Sequence, residues 1–185
     1  MKLLLHTCCA PCSTYVVHKL REDGHDDITS LWYNINIHPY MEYKQRLDTL
    51  KQYAESINLP LIVEDTYGLR EFTQNVASNI DGRCVYCYEK RMDFTAKYAK
   101  EHGFDAFSTT LLVSPYQKHE LLINIAESMA QKHGTKFLYQ DFRPGFRQGQ
   151  QMAREAGLYM QKYCGCVYSE FEAEKQREER KNKKK

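Results

Sequence analysis

A chain of 185 residues is long enough for one domain with a real core, and 42% hydrophobic with 27% charged residues is the balance of an ordinary globular fold. No apolar run is long enough to span a bilayer, and Leu3-Leu4-Leu5 stops at His6, too short for a signal peptide, so a cytoplasmic protein with no membrane association is expected. The net charge of +2 is uneven: Glu172–Lys185 carries seven Lys/Arg against four Glu, so any nucleic-acid site must be a local patch plus this tail.

Strand and helix patterns alternate along the chain. Lys2–His6 reads as a buried strand, and Pro11 opens a helix to about Asp23 that Gly24 ends. Leu31–Ile37, rich in aromatic and β-branched residues, reads as a second strand. Helical spacing at Leu47, Leu50, Ala54 and Ile57 marks a helix over Glu42–Ile57, and Leu61–Val63 a third strand. A helix follows from Arg83 to His102 with Gly103 at its C-cap position, then a fourth strand within Phe104–Val113 that Pro115 ends. Gln117–His133 is a helix, Lys136–Tyr139 a fifth strand, and Arg147–Tyr163 a last amphipathic helix. Such alternation predicts an α/β fold: a single-domain, Rossmann-like three-layer sandwich around a mostly parallel sheet. Ligands of such sheets sit beyond the carboxyl ends of the strands, where the first strand meets His6-Thr7-Cys8-Cys9.

All seven cysteines fall into three groups, Cys8-Cys9-Ala10-Pro11-Cys12, Cys84-Val85-Tyr86-Cys87 and Cys164-Gly165-Cys166. In a reducing compartment this is a metal pattern rather than a disulfide framework. Cys84 and Cys87, three apart at a helix start, present both sulfurs on one face, and the helix N-terminus favours thiolate. Cys8 and Cys9 sit at a strand-to-helix turn that can aim both sulfurs at one site. Four thiolates suit either a [4Fe-4S] cluster or Zn²⁺. The zinc alternative pairs Cys9-x-x-Cys12 with Cys84-x-x-Cys87, and spacing alone slightly prefers it. It leaves Cys8 unexplained, and the segment between the pairs is much longer than in a zinc ribbon. An ATP-dependent modifying enzyme would need a glycine-rich loop after the first strand, and this one has no glycine.

These motifs, with Arg83-Cys84-Val85-Tyr86-Cys87-Tyr88-Glu89-Lys90-Arg91 and Thr109-Thr110-Leu111-Leu112-Val113-Ser114-Pro115-Tyr116-Gln117 in the same order, resemble the cobalamin-independent epoxyqueuosine reductases over essentially the whole chain. The resemblance implies a fold related to the nucleotide α-hydrolase group. It implies reduction of epoxyqueuosine to queuosine in the tRNA anticodon, the last step of queuosine biosynthesis. It also implies a [4Fe-4S] cluster on Cys8, Cys9, Cys84 and Cys87, one additional iron beside it, and a redox-active disulfide between Cys164 and Cys166. Cys12, the thiol left over from the first motif, is the candidate ligand for the second iron. The expected partners are tRNA carrying epoxyqueuosine and an electron donor, and the expected division is a catalytic domain over 1–171 with a basic tail over 172–185. A zinc-stabilised RNA-binding protein is the alternative function. His6 is expected to order the site, supply a proton or simply pack. Arg143-Pro144-Gly145-Phe146-Arg147, two arginines around an aromatic, is the loop favoured for gripping a nucleic-acid backbone.

Overall fold

A computed structural model describes residues 1–183. Four strands, β1 (Leu3–His6), β2 (Ile28–Trp32), β3 (Leu61–Val63) and β4 (Ala106–Thr109), form one parallel sheet in the order β3-β2-β1-β4. The helices are α1 (Ala10–Glu22), α2 (Tyr40–Ser56), α3 (Leu69–Val76), α4 (Arg83–Glu101), α5 (His119–His133), α6 (Phe146–Glu155) and α7 (Val167–Asn182). Strands β1 to β3 step outward in one direction, and the chain then returns through α4 to place β4 on the other side of β1. Right-handed crossovers therefore put α1 and α2 on one face and α4 on the other. Helix α1 packs against α2 and α6, and α4 packs against α5, β1 and β4. This is the expected α/β architecture in one domain.

Every residue of β1 and β4 is buried, as the central strands of a two-faced parallel sheet must be. The β1/β4 seam is where the strand order reverses, so loops leaving the carboxyl ends of these two strands part and open a crevice. Cys8 and Cys9 leave β1 there; Thr110–Val113, a 3₁₀ turn, leaves β4 there. Thr110 ties the two loops together, its hydroxyl accepting from the Cys8 N–H at 3.1 Å. On the opposite side of α1, α6 approaches so closely that a Cβ on Gly145 would lie 1.9 Å from the Tyr15 ring.

Three expectations are corrected. The second strand lies at Ile28–Trp32, because pairing with β1 fixes its register from Leu3↔Ile28 to His6↔Leu31. Beyond Trp32 the chain becomes a buried loop whose polar groups bond inward, with the Asn34 amide donating to the Thr7 carbonyl at 2.9 Å. Lys136–Tyr139 forms an isolated bridge, Phe107↔Phe137, rather than a strand. The helix expected over Arg147–Tyr163 ends at Glu155, where Gly157 turns the backbone to φ +65°. Two helices, α3 and α7, add to the expected elements; α7 continues through most of the basic tail, whose last two residues, Lys184 and Lys185, lie outside the described residues.

Candidate metal centre

The site is built where β1 stops. Cys9 is the N-cap of α1, Pro11 stands in that helix's first turn as expected, and Cys12 follows one turn on. The ligand atoms of Cys8, Cys9 and Cys12 all lie within 4.8 Å of one another, with the Cys8 and Cys9 sulfurs 3.7 Å apart. Neither carboxylate nor imidazole joins this group, which makes it a soft, all-sulfur donor set able to hold a metal ion. The three thiols perturb one another. Hydrogen bonding from Cys12 and Cys9 holds Cys8 well below the ordinary thiol range, while burial raises Cys9 and the bond to Cys8 raises Cys12. The Thr110 hydroxyl donates to the Cys8 sulfur at 3.4 Å.

Cys84 and Cys87 enter from the other face, on the first turns of α4. Cys87 is buried in the same apolar cluster as Cys8, Cys9 and Cys166, and Cys84 and Cys12 pack against it. Burial pushes the Cys87 thiol up to about 12, and the Arg91 guanidinium beside it works in the opposite direction. Arg91 lies one turn further along α4 and donates from Nη2 to the Cys87 sulfur at 2.9 Å.

The third group sits on a clamped loop. Arg46, from α2, donates to the carbonyls of Cys164 at 2.8 Å and Tyr163 at 3.0 Å, and is itself held by Glu42 at 2.7 Å. The His38 N–H donates to the Gly165 carbonyl at 2.8 Å. All seven cysteines are free thiols. Cys164 is exposed, its sulfur accepting from Gln117 Nε2 at 3.4 Å; Cys166 is buried and caps α7, its sulfur accepting from the Ser169 N–H at 3.4 Å.

His6 packs rather than reacts. Its Nε2 faces the Tyr33 carbonyl at 3.2 Å, and a carbonyl can only accept, so this nitrogen carries the proton and Nδ1 accepts from Thr109 at 2.8 Å. Burial, reinforced by the charge of Arg91, pushes its pKa down to about 3, which keeps it neutral and removes it as a proton source.

Above the sulfurs opens a cavity of about 770 Å³, within the range that holds a small ligand. Cys8, Cys12 and Cys164 line it, together with Ser114, Tyr116 and Gln117 beyond β4, where a cleft was expected. Phe146 lines it too, edge-on to Tyr116 at 5.8 Å, and Arg154, Lys162 and Arg180 make its wall positive. Of the loop expected to grip a backbone, Phe146 is the part that reaches the cavity. Arg143 is held by its own neighbour Asp141 at 2.7 Å.

Sequence reasoning gave no role at the sulfurs to four polar residues: Arg46 and Gln161, and Arg91 and Gln117, which stand within the quoted motifs. Gln161 donates from Nε2 to the Cys9 sulfur at 2.9 Å, while its Oε1 is buried without a hydrogen-bond partner among the described residues. For Arg91 a signal was available, since it lies four residues after Cys87 and so on the same helix face. For Gln161 there was none, because it comes from an irregular segment after α6. No described helix is long and apolar enough to cross a membrane.

Comparison with known proteins gives a consistent result. A family model described as "Epoxyqueuosine reductase QueH" matches residues 3–172. A protein of that name from Dehalococcoides mccartyi is 42% identical over 171 residues, covering 92% of this chain and 93% of its own length. Another from Thermotoga maritima is 33% identical over 179 residues, covering 92% of this chain and 91% of its own. One from Streptococcus pyogenes is 34% identical over 179 residues, covering 90% and 69%. With the motif order, the parallel sheet and the sulfur cluster at the strand-order reversal all in agreement, the chain belongs to the epoxyqueuosine reductase QueH family.

Proposed function

We propose that this protein reduces epoxyqueuosine to queuosine in the anticodon of tRNA. The conversion of epoxide to alkene takes two electrons and two protons and releases the oxygen as water. The observation that carries this reading is the cysteine trio at the base of a cavity that Cys8 and Cys12 line and whose wall is positive, in a chain of this family. We further assign a [4Fe-4S] cluster to Cys8, Cys9, Cys84 and Cys87, an additional iron to a site that includes Cys12, and a dithiol–disulfide couple to Cys164 and Cys166. When bound, these centres supply single electrons and a Lewis acid for the departing oxygen. The all-sulfur donor set, Gln161 donating to Cys9 and the buried guanidinium on Cys87 support this assignment.

The chain's own residues bind and orient. Tyr116, 78% exposed at the cavity rim, and Phe146 beside it offer aromatic faces on which an unstacked base can rest. Tyr88 is held as a neutral phenol by burial; it donates to Gln117 Oε1 at 2.7 Å, so that the Gln117 amide is fixed with its N–H toward Cys164. The electron donor is a separate partner, and the cytoplasm is the compartment in which seven thiols stay reduced.

Within this reading we assign catalysis to 1–171 and phosphate binding to the basic segment 172–185. Glu172 anchors α7 to Arg83 on α4, and Arg177 donates to the Lys162 carbonyl, while Arg154, Lys162 and Arg180 are cavity-lining cations with no ion pair among the described residues. Substituting two of them, Arg154→Ala with Arg180→Ala, is expected to weaken tRNA binding and to reduce the slope of log affinity against log salt by about 1 for each phosphate that is no longer neutralised. An unchanged slope and affinity would leave this helix as solvated surface.

The function itself is tested on anaerobically prepared protein, supplied with tRNA bearing epoxyqueuosine and a chemical reductant. Queuosine should appear on nucleoside analysis, and metal analysis should return about four irons and four sulfides for the cluster. Stoichiometric zinc with no queuosine would favour a zinc-stabilised RNA-binding protein instead.

A further inference from the structure

Two arginines are buried among the described residues, and they are compensated differently. Arg46 has the Glu42 carboxylate at 2.7 Å and two backbone carbonyls. Arg91, 1% exposed, has no carboxylate within 4.0 Å among the described residues. Its partners are all on one side: Nη2 donates to the Cys87 sulfur at 2.9 Å, Nε donates to the Cys87 carbonyl at 3.2 Å, and the Tyr88 ring lies 5.9 Å from the guanidinium carbon. A guanidinium does not give up its proton in a protein, and a buried charge without an opposite charge is strongly destabilising. The carbonyl and the ring face supply partial charge only. The missing anion can come only from the sulfur side, where Cys87 faces it and Cys8 lies in the same buried cluster.

We propose that Arg91 is a positioning residue for the metal centre, a built-in counter-charge that stabilises its ligand thiolates and raises its reduction potential. This rests on the cysteine-held centre assigned above. Each electron accepted makes a thiolate-ligated centre one unit more negative, and a fixed cation at hydrogen-bond distance from a ligand sulfur favours that more negative state. A lone structural role, holding the first turns of α4, would make no such distinction between charge states.

The test uses the full chain, reconstituted anaerobically, as wild type, Arg91→Gln, which keeps a donor but loses the charge, and Arg91→Lys, which keeps the charge. Iron and sulfide content, the midpoint potential from a dithionite titration followed by electron paramagnetic resonance, and the Tm of metal-loaded and chelator-stripped protein are measured on each. The potential of Arg91→Gln should move to more negative values, with Arg91→Lys closer to wild type. Stripped Arg91→Gln should melt no lower than stripped wild type, because an uncompensated buried charge is gone, whereas loaded Arg91→Gln should melt below loaded wild type. Assembly in Arg91→Lys with failure in Arg91→Gln would report the same need for charge. Equal potentials at equal iron content, or an equal loss of Tm in stripped and loaded forms, would make Arg91 a structural anchor and overturn the proposal. Failure of both variants to assemble, with both stripped forms melting low, would do the same. If wild type carries zinc and no reducible centre, the iron–sulfur reading fails by itself, and the Tm comparison on zinc-loaded protein still decides the role of Arg91.

Discussion

Cys8→Ala and Cys87→Ala are each expected to give colourless protein with the bound iron lost and no turnover. Cys8 comes from the loop after β1 and Cys87 from the first turns of α4, so the two replacements remove sulfur supplied by different elements to one buried cluster. Neither position can recruit a substitute: both are buried, and no carboxylate or imidazole belongs to the sulfur group at the end of β1. Cys12→Ala provides the contrast. Its sulfur lies within 4.8 Å of those of Cys8 and Cys9 but is only half-buried, and this variant should keep the cluster spectrum while losing iron beyond the cluster's share and losing turnover. Iron, sulfide and visible absorbance, measured side by side on the three anaerobic preparations, decide the matter. Cluster loss in Cys12→Ala with retention in Cys87→Ala would move the ligand set to the trio at the end of β1.

The second large effect is expected at Cys164-Gly165-Cys166. Cys164→Ser and Cys166→Ser should retain wild-type iron, complete a first turnover when reduced beforehand, and stall in multiple turnover, because one residue between two sulfurs permits only a strained and easily reduced disulfide. Gly165→Ala should show the same stall with both thiols still present. Gly165 has φ +148°, and a Cβ there would lie 3.2 Å from Ile37 Cγ1, 3.3 Å from Arg46 Nη1 and 3.4 Å from Asn36 Nδ2. The strain costs about 1–3 kcal/mol and is relieved only by moving the loop off its Arg46 and His38 partners. Rapid-mix single-turnover and steady-state assays separate the two regimes. Full multiple turnover in both serine variants would make the pair a spectator, and iron loss in them would make it a ligand.

The sheet was legible where apolar pattern and local punctuation agree. Leu3–His6 and Leu61–Val63 are short apolar runs with clear ends, and α5 stops at Gly134 as its C-cap chemistry requires. Leu31–Ile37 misled because alternation of aromatic and β-branched residues with asparagine also describes a buried loop, here one that Asn34 ties to the Thr7 carbonyl. Phe137 fits a strand by composition, yet a single bridge to Phe107 is all that pairs with it. At the site, the cysteine groups were readable as motifs because sulfur chemistry confines their spacing. Arg46 was not, since an arginine on a helix looks solvated until the fold reveals what covers it, and Arg91 was legible only through its spacing from Cys87. Gln161 reaches Cys9 across 152 residues, a pairing that only tertiary structure creates.

Cys166 is at once a member of the late cysteine pair and the residue on which α7 is capped. In the proposed redox couple this cysteine would be the pivot of the helix, working against the Glu172–Arg83 pair that holds its first turns to α4. At 1.5 Å per residue, Arg177 rides roughly 16 Å from that pivot, and a tilt of about 10° there would carry it roughly 3 Å. Bonding the Cys166 sulfur to another atom would also take from Ser169 the acceptor its N–H uses, loosening the first turn at the pivot itself. In the couple proposed above, oxidation of the two thiols would therefore act on the start of the cationic helix beside the cavity.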